Sequence, residues 1–180
     1  MKSISVLGIF VADLAFFANK IPVSGETIIG DNYVIGPGGK GSNQVVAAAK
    51  AGAKTFFISK IGNDQFGSMA KEIYDKAGVD YSKVIISDDH ATGAAGILIN
   101  QEGHNAINVV PGAAATLTTE DIDNASDTIK ESSVFLTQLE APKNVVMHAL
   151  KMAKNNNVTT IFNPAPAAAV DEERKDRSSG

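Results

Sequence analysis

A chain of 180 residues with 44% hydrophobic content and a mean hydropathy of +0.01 can bury a sizeable core, and one globular domain is the expectation. Its formal net charge of −4 and pI of 5.3 leave no basic footprint of the kind that follows phosphate backbones or anionic membranes, which argues against both partners. The absence of cysteine excludes disulfides, thiolate metal sites and a cysteine nucleophile, and it suits a reducing, cytoplasmic setting.

The opening run MKSISVLGIFVADLAFF is broken by Gly8 and Asp13, and no clean small-residue cleavage pattern follows. No stretch approaches the ~20 apolar residues of a membrane span. Ile4, Val6, Leu7 and Ile9 therefore read as a first strand buried on both faces, with Asp13 at its end. From Glu26 to Ile35 an apolar–polar alternation predicts further strand and leads into Gly36-Pro37-Gly38-Gly39-Lys40-Gly41. An alanine-rich helix is predicted from about Ser42 to Ala51, closed by Gly52.

Thr55 to Ser59 reads as the next buried strand, with Asn63 and Asp64 as helix-capping candidates behind it. Phe66, Met69, Ala70, Ile73, Tyr74 and Ala77 fall at helical spacing, and Gly78 stops that helix. Lys83 to Ile86 predicts a strand, and Ala94 to Asn100 pairs with Asn105 to Val110 as a hairpin across Gln101-Glu102-Gly103-His104. Thr118-Thr119-Glu120-Asp121 carries a helix start, Val134 to Leu139 a strand, Lys143 to Lys154 a helix and Val158 to Phe162 a strand. Alternating strands and helices imply an α/β fold with a mainly parallel sheet, interrupted by two β intrusions. The run DEERKDRSSG at 171–180 is a charged tail expected to be solvated.

Several glycines before a helix let backbone amides approach a ligand closely, so GPGGKGSNQ is the most informative segment. It is not a Walker A loop, because Val34 holds the first-glycine position and Gly41 follows Lys40. Gly36, Gly38 and Gly41 satisfy GxGxxG, but far from the first strand and with no acid ending the following one. A dinucleotide site and a purely structural turn stay open as minor readings. His90, His104 and His148 lack metal-ligand spacing, so no metal site is expected.

LGIFVAD at 7–13, GE at 25–26, GGKGSNQ at 38–44, Gly52 and Gly62, TG at 92–93, QLEAP at 138–142 and NPAPA at 163–167 occur in one order. This set resembles the N-terminal signatures of the ribokinase-like (PfkB-type) carbohydrate kinases over roughly residues 3–168. The resemblance implies a ribokinase-like α/β fold over 1–170, with helices on both faces of the sheet and a small β lid from segments about 10–36 and 94–110. It implies an ATP-dependent phosphotransferase acting on a hydroxymethyl group of a pentose or related sugar, with ATP, Mg2+ and K+ as cofactors and a homodimer formed through the lid. Carried onto this sequence, it makes Asp13, Gly38, Gly39, Lys40, Asn43 and Glu140 sugar contacts, with Val109 against the sugar's apolar face. Without the resemblance, Asp13 reads as a turn cap, Glu140 as a surface group and Val109 as part of an exposed hairpin.

Two departures stand out: Val11 replaces an asparagine common in the family, and Val45 a small residue. Pro111-Gly112-Ala113-Ala114 further leaves the preferred sugar open. The family's second signature, which supplies the anion hole and the catalytic base, is not found in these residues. No catalytic residue is therefore named, the base is expected downstream of residue 180, and this chain alone is expected to be inactive. A non-catalytic sugar-binding or dimerising module of the same fold is the alternative.

Overall fold

The computed structural model describes residues 2–167; the tail at 171–180 lies outside them. Five parallel strands form the main sheet: β1 (Ser3–Leu7), β4 (Lys54–Gly62), β5 (Asp80–Ser87), β8 (Val134–Thr137) and β9 (Thr159–Phe162). Their order is β5-β4-β1-β8-β9. A second sheet, ordered β3-β2-β6-β7, is built from β2 (Val11–Phe17), β3 (Asn32–Gly38), β6 (Thr92–Ile99) and β7 (Asn105–Gly112). Here β2 and β6 run parallel, while β3 and β7 flank them antiparallel.

Helices cover both faces of the main sheet. On one side α1 (Lys40–Lys50) and α2 (Gln65–Ala77) bury Val45, Ala70 and Tyr74 against Val6, Phe57 and Ile61. On the other, α3 (Thr119–Asn124), α4 (Ser126–Glu131) and α5 (Lys143–Asn155) bury Ile122, Ile129, Val145 and Val146 against Leu7, Ile58 and Phe135. The α2 start is capped by Asp64, and its end turns left-handed at Gly78, as the sequence requires. Among the described residues no helix is long and apolar enough to cross a membrane.

Four expectations are corrected. The run from Ile4 to Asp13 is not one strand: β1 ends at Leu7 and the chain crosses at Gly8 into the second sheet, so Asp13 lies inside β2. The crossing needs glycine, because a Cβ on Gly8 would stand 2.6 Å from the Gly41 Cα. The alternation from Glu26 does not extend to the start of β3 as strand; residues 26–31 are loop, held where Glu26 accepts from Val23 N–H and pairs with Lys20. Helix α1 begins at Lys40 rather than Ser42, because a carboxylate from a distant turn satisfies its first N–H, as the site geometry makes plain. Strand β8 stops at Thr137, which places Glu140 in the turn after it.

Candidate functional site

The β3–α1 junction packs backbone against backbone. Gly39 has φ +90°, and a Cβ there would lie 2.3 Å from the Ile9 carbonyl oxygen. Only glycine fits that turn. Gly38 is equally constrained from the side: a Cβ would stand 2.1 Å from Asp13 Oδ1 and 2.5 Å from Oδ2. The Asp13 carboxylate thus lies directly on the Gly38 backbone, rather than across an open cavity from it.

Glu140 reaches the same junction from the end of β8. Its Oε2 accepts from the Lys40 backbone N–H at 2.7 Å, and its Oε1 accepts from Lys40 Nζ at 2.8 Å. One of the orphan donors at the start of α1 is therefore satisfied from a turn 100 residues away in sequence. The Glu140 side chain is 12% exposed and that of Lys40 42% exposed, so the pair stands at the edge of the solvent. Burial, and then the like charge of Glu140, raises the Asp13 pKa, with Lys40 pulling the other way. Asp13, Lys40 and Glu140 are thus electrostatically one group.

Five of the seven expected contacts, Asp13, Gly38, Gly39, Lys40 and Glu140, meet at this junction. Asn43 stands exposed on the first turn of α1, its own N–H spent on Gly39 O at 2.9 Å. Val109 shares the lid face of Asp13 through register, since Ala95 of β6 is opposite both residues. Two strand spacings, about 10 Å, separate Val109 from Asp13 across the sheet, and Val109 is 49% exposed.

Other residues hold the junction from behind without facing it. Gln138 is 1% exposed, donates from Nε2 to Gln44 Oε1, and fills the space that a Cβ on Gly8 or Gly41 would take. Ser42 is buried at 1% and accepts from the Tyr74 hydroxyl at 3.1 Å, so its own hydroxyl is anchored inside the core. The pairings of Gln138 with Gln44 and of Ser42 with Tyr74 join residues far apart in sequence, and no local pattern announces them. Val11 is 4% exposed, sits between Gly38 and Gly93 in register, and belongs to the core beside Leu7 and Ile9.

A parallel sheet whose strand ends carry a glycine-rich helix start, joined to a second, four-stranded sheet that contributes a carboxylate, defines the ribokinase-like class of α/β proteins. The comparisons agree. The sequence matches the pfkB family carbohydrate kinases over residues 1–175, and the chain belongs to that family. It is 40% identical over 167 residues to ribokinase of Mus musculus, covering 93% of this chain and 52% of that protein. The structure of ribokinase from Thermotoga maritima superposes with a TM-score of 0.84 at 36% identity, covering 95% of this chain and 55% of that one. That of Arabidopsis thaliana ribokinase complexed with ribose and ATP superposes at 0.81 and 26% identity, covering 91% of this chain and 54% of that one. The chain spans about half the length of the relatives it matches.

Proposed function

We propose that these residues are the sugar-holding part of an ATP-dependent carbohydrate kinase of the ribokinase type, which phosphorylates a hydroxymethyl group of a pentose or related sugar. The observation that carries the reading is the meeting of Asp13, Lys40 and Glu140 on the Gly38-Gly39 backbone. Carboxylate oxygens accept from vicinal hydroxyls, Lys40 and Asn43 donate to them, and Glu140 keeps lone pairs beyond those given to Lys40. Val109 is assigned to the sugar's apolar face. A cytoplasmic location goes with this reading.

Among the described residues no group of three or more His, Cys, Asp or Glu could hold a metal ion. Mg2+ and K+ belong, with ATP and the catalytic base, to the proposal for a whole family member.

Calorimetry with ribose tests the site. Binding is expected in the 180-residue chain, Asp13→Ala and Asn43→Ala each weaken it by ~1–3 kcal/mol, and His148→Ala leaves it unchanged. His148 instead bonds Asp123 Oδ1 at 2.7 Å between α5 and α3. Unchanged affinity in both pocket variants removes them from the site. In a coupled assay for ADP release with Mg2+ and K+, this chain alone is expected to show no turnover. Sugar-dependent rates in the ~1–100 s⁻¹ range of kinases would overturn that expectation.

A second reading, a sugar-binding or dimerising module without catalysis, is favoured by one observation. The lid face turned away from Asp13 exposes Phe16, Tyr33, Ile35 and Leu98 to solvent.

A further inference from the structure

The lid is joined to the main sheet by four chain crossings, and one of them, at the start of β6, is held by a carboxylate that the sugar site does not use. Asp64 is the N-cap of α2, and its Oδ1 accepts from Gly67 N–H at 2.8 Å, the ordinary capping bond. The same carboxylate also accepts from Thr92, the first residue of β6: Oδ2 from the Thr92 N–H at 2.7 Å, and Oδ1 from the Thr92 hydroxyl at 2.8 Å. The Thr92 hydroxyl in turn accepts from Gly62 N–H, at the end of β4, at 2.8 Å. Thr92 is 5% exposed and Asp64 is half-buried, so the tie is anchored inside the protein from the Thr92 side.

The surrounding backbone leaves no slack. A Cβ on Gly62 would stand 2.5 Å from Thr92 N, one on Gly67 2.1 Å from Gly62 O, and one on Gly112 2.4 Å from Ala91 O. Gly112 ends β7 opposite Thr92, and the next N–H, that of Ala113, donates to Ala91 O at 2.7 Å. The start of β6 is therefore rooted at the N-terminus of α2, and the end of β7 is bonded to that same start. Three residues further along β6 is Ala95, which lies opposite Asp13 on one side and Val109 on the other. About 10 Å of stiff strand separates the tie from the lid side of the proposed site.

We propose that Asp64 is a positioning residue, which pins the root of the lid to α2 through Thr92 and so fixes where Asp13 and Val109 stand over the Gly38-Gly39 turn. The inference rests on the sugar-binding reading of that turn. Besides the Phe66 N–H, three donors converge on Asp64, namely the Gly67 N–H, the Thr92 N–H and the Thr92 hydroxyl, so the group must be acceptor-only. Burial by itself raises the Asp64 pKa, but the hydrogen bonds from Gly67, Thr92 and Phe66 outweigh it and hold the carboxyl below its ordinary value.

This chemistry separates the two duties of the residue. Asparagine caps helices about as well as aspartate, yet an amide cannot accept from all three donors. Asp64→Asn should keep α2 and lose the lid tie. Thr92→Val removes the hydroxyl with its shape retained, and Thr92→Ser is the conservative rescue.

The chain has no cysteine among its residues, so spin labels at Gln101→Cys on the lid turn and Lys154→Cys on α5, both exposed positions, report the lid distance cleanly. Pulsed distance measurement is expected to give one narrow distribution in the otherwise unaltered chain and in Thr92→Ser, and a broadened one in Asp64→Asn and Thr92→Val. Ribose affinity should fall about tenfold in those two variants and recover in Thr92→Ser. Unchanged distributions in both variants overturn the proposal, and so does a loss of melting temperature without broadening, which would make Asp64 a helix cap only. If the unaltered chain binds no ribose, the sugar-site reading fails, while the distance measurement still decides the tie.

Discussion

Asp13 is held against its own electrostatic interest. Burial, then the charge of Glu140, lifts its pKa above the ordinary 3.8 while Lys40 resists. A carboxyl with a raised folded pKa binds its proton more tightly in the folded chain than in the unfolded one. The ionised form thus costs stability, a cost absent below 3.8 and fully present once pH has risen through the folded pKa. Asp13→Asn should therefore melt at a higher temperature than the unaltered chain at neutral pH, with the gap closing as pH falls below 3.8. In calorimetry the same substitution should weaken ribose binding, because the amide offers fewer acceptor sites. A variant that gains stability without losing affinity would show that Asp13 is buried for some other reason. The residue types of this site were legible in the sequence; their electrostatics were not. Nothing local to Asp13 says that Glu140 will arrive beside it, and Val11, standing where the family commonly has asparagine, is a core residue at 4% exposure. Val45, the other departure, is fully buried under the α1–α2 side of the sheet.

The β3–α1 junction is the element on which the site depends, and its two glycine requirements can be separated. Gly39 and Gly52 both have a positive φ, +90° and +89°, so alanine is strained by its backbone at each. Around Gly52 nothing lies within 4 Å of a built Cβ, whereas at Gly39 the Ile9 carbonyl oxygen is 2.3 Å away. Chemical denaturation should therefore show Gly39→Ala losing clearly more stability than Gly52→Ala. Equal losses would mean that the junction relaxes and that close approach to Ile9 is not what fixes it. The contrast also explains which elements the sequence disclosed. Amphipathic α2 and α5 and the β6–β7 hairpin carry complete local signals in periodicity, caps and turn residues, and they form where those signals place them. The split between β1 and β2 has no such signal, because a strand buried on both faces reads as one apolar run wherever the chain changes sheets. The close approach of Gly41 and Gln138 to Gly8 at that boundary comes from elements distant in sequence.

At the scale of the whole molecule, the β9 edge and the lid face turned away from Asp13 both leave apolar side chains in solvent, and they predict different modes of association. Strand β9 is one edge of the main sheet and β5 the other; at β9 Ile161 is 51% exposed, and an open edge can pair with another chain. The lid presents a broader surface. Side chains alternate across its strands, so Asp13, Ala95 and Val109 share one face while Tyr33, Phe16 and Leu98 line up in register on the other. That row is 63%, 43% and 36% exposed respectively, and Phe16 stacks on Tyr33 at 6.2 Å between ring centres. Ile35 extends the patch one pair along β3 at 44% exposure. A contiguous aromatic surface of this kind is energetically poor in water, and a two-fold axis through it would bury the same patch on both copies. The β9 edge offers instead one short strand of which three of four residues are exposed, two of them threonines. Sedimentation velocity at rising micromolar concentrations should therefore show a reversible dimer. Phe16→Lys should return it to monomer, because it places a charge at the centre of the patch, while Ile161→Lys should leave it dimeric. The opposite pattern would assign association to the β9 edge. A chain that stays monomeric throughout would remove the lid dimer altogether and leave the sugar site to stand by itself.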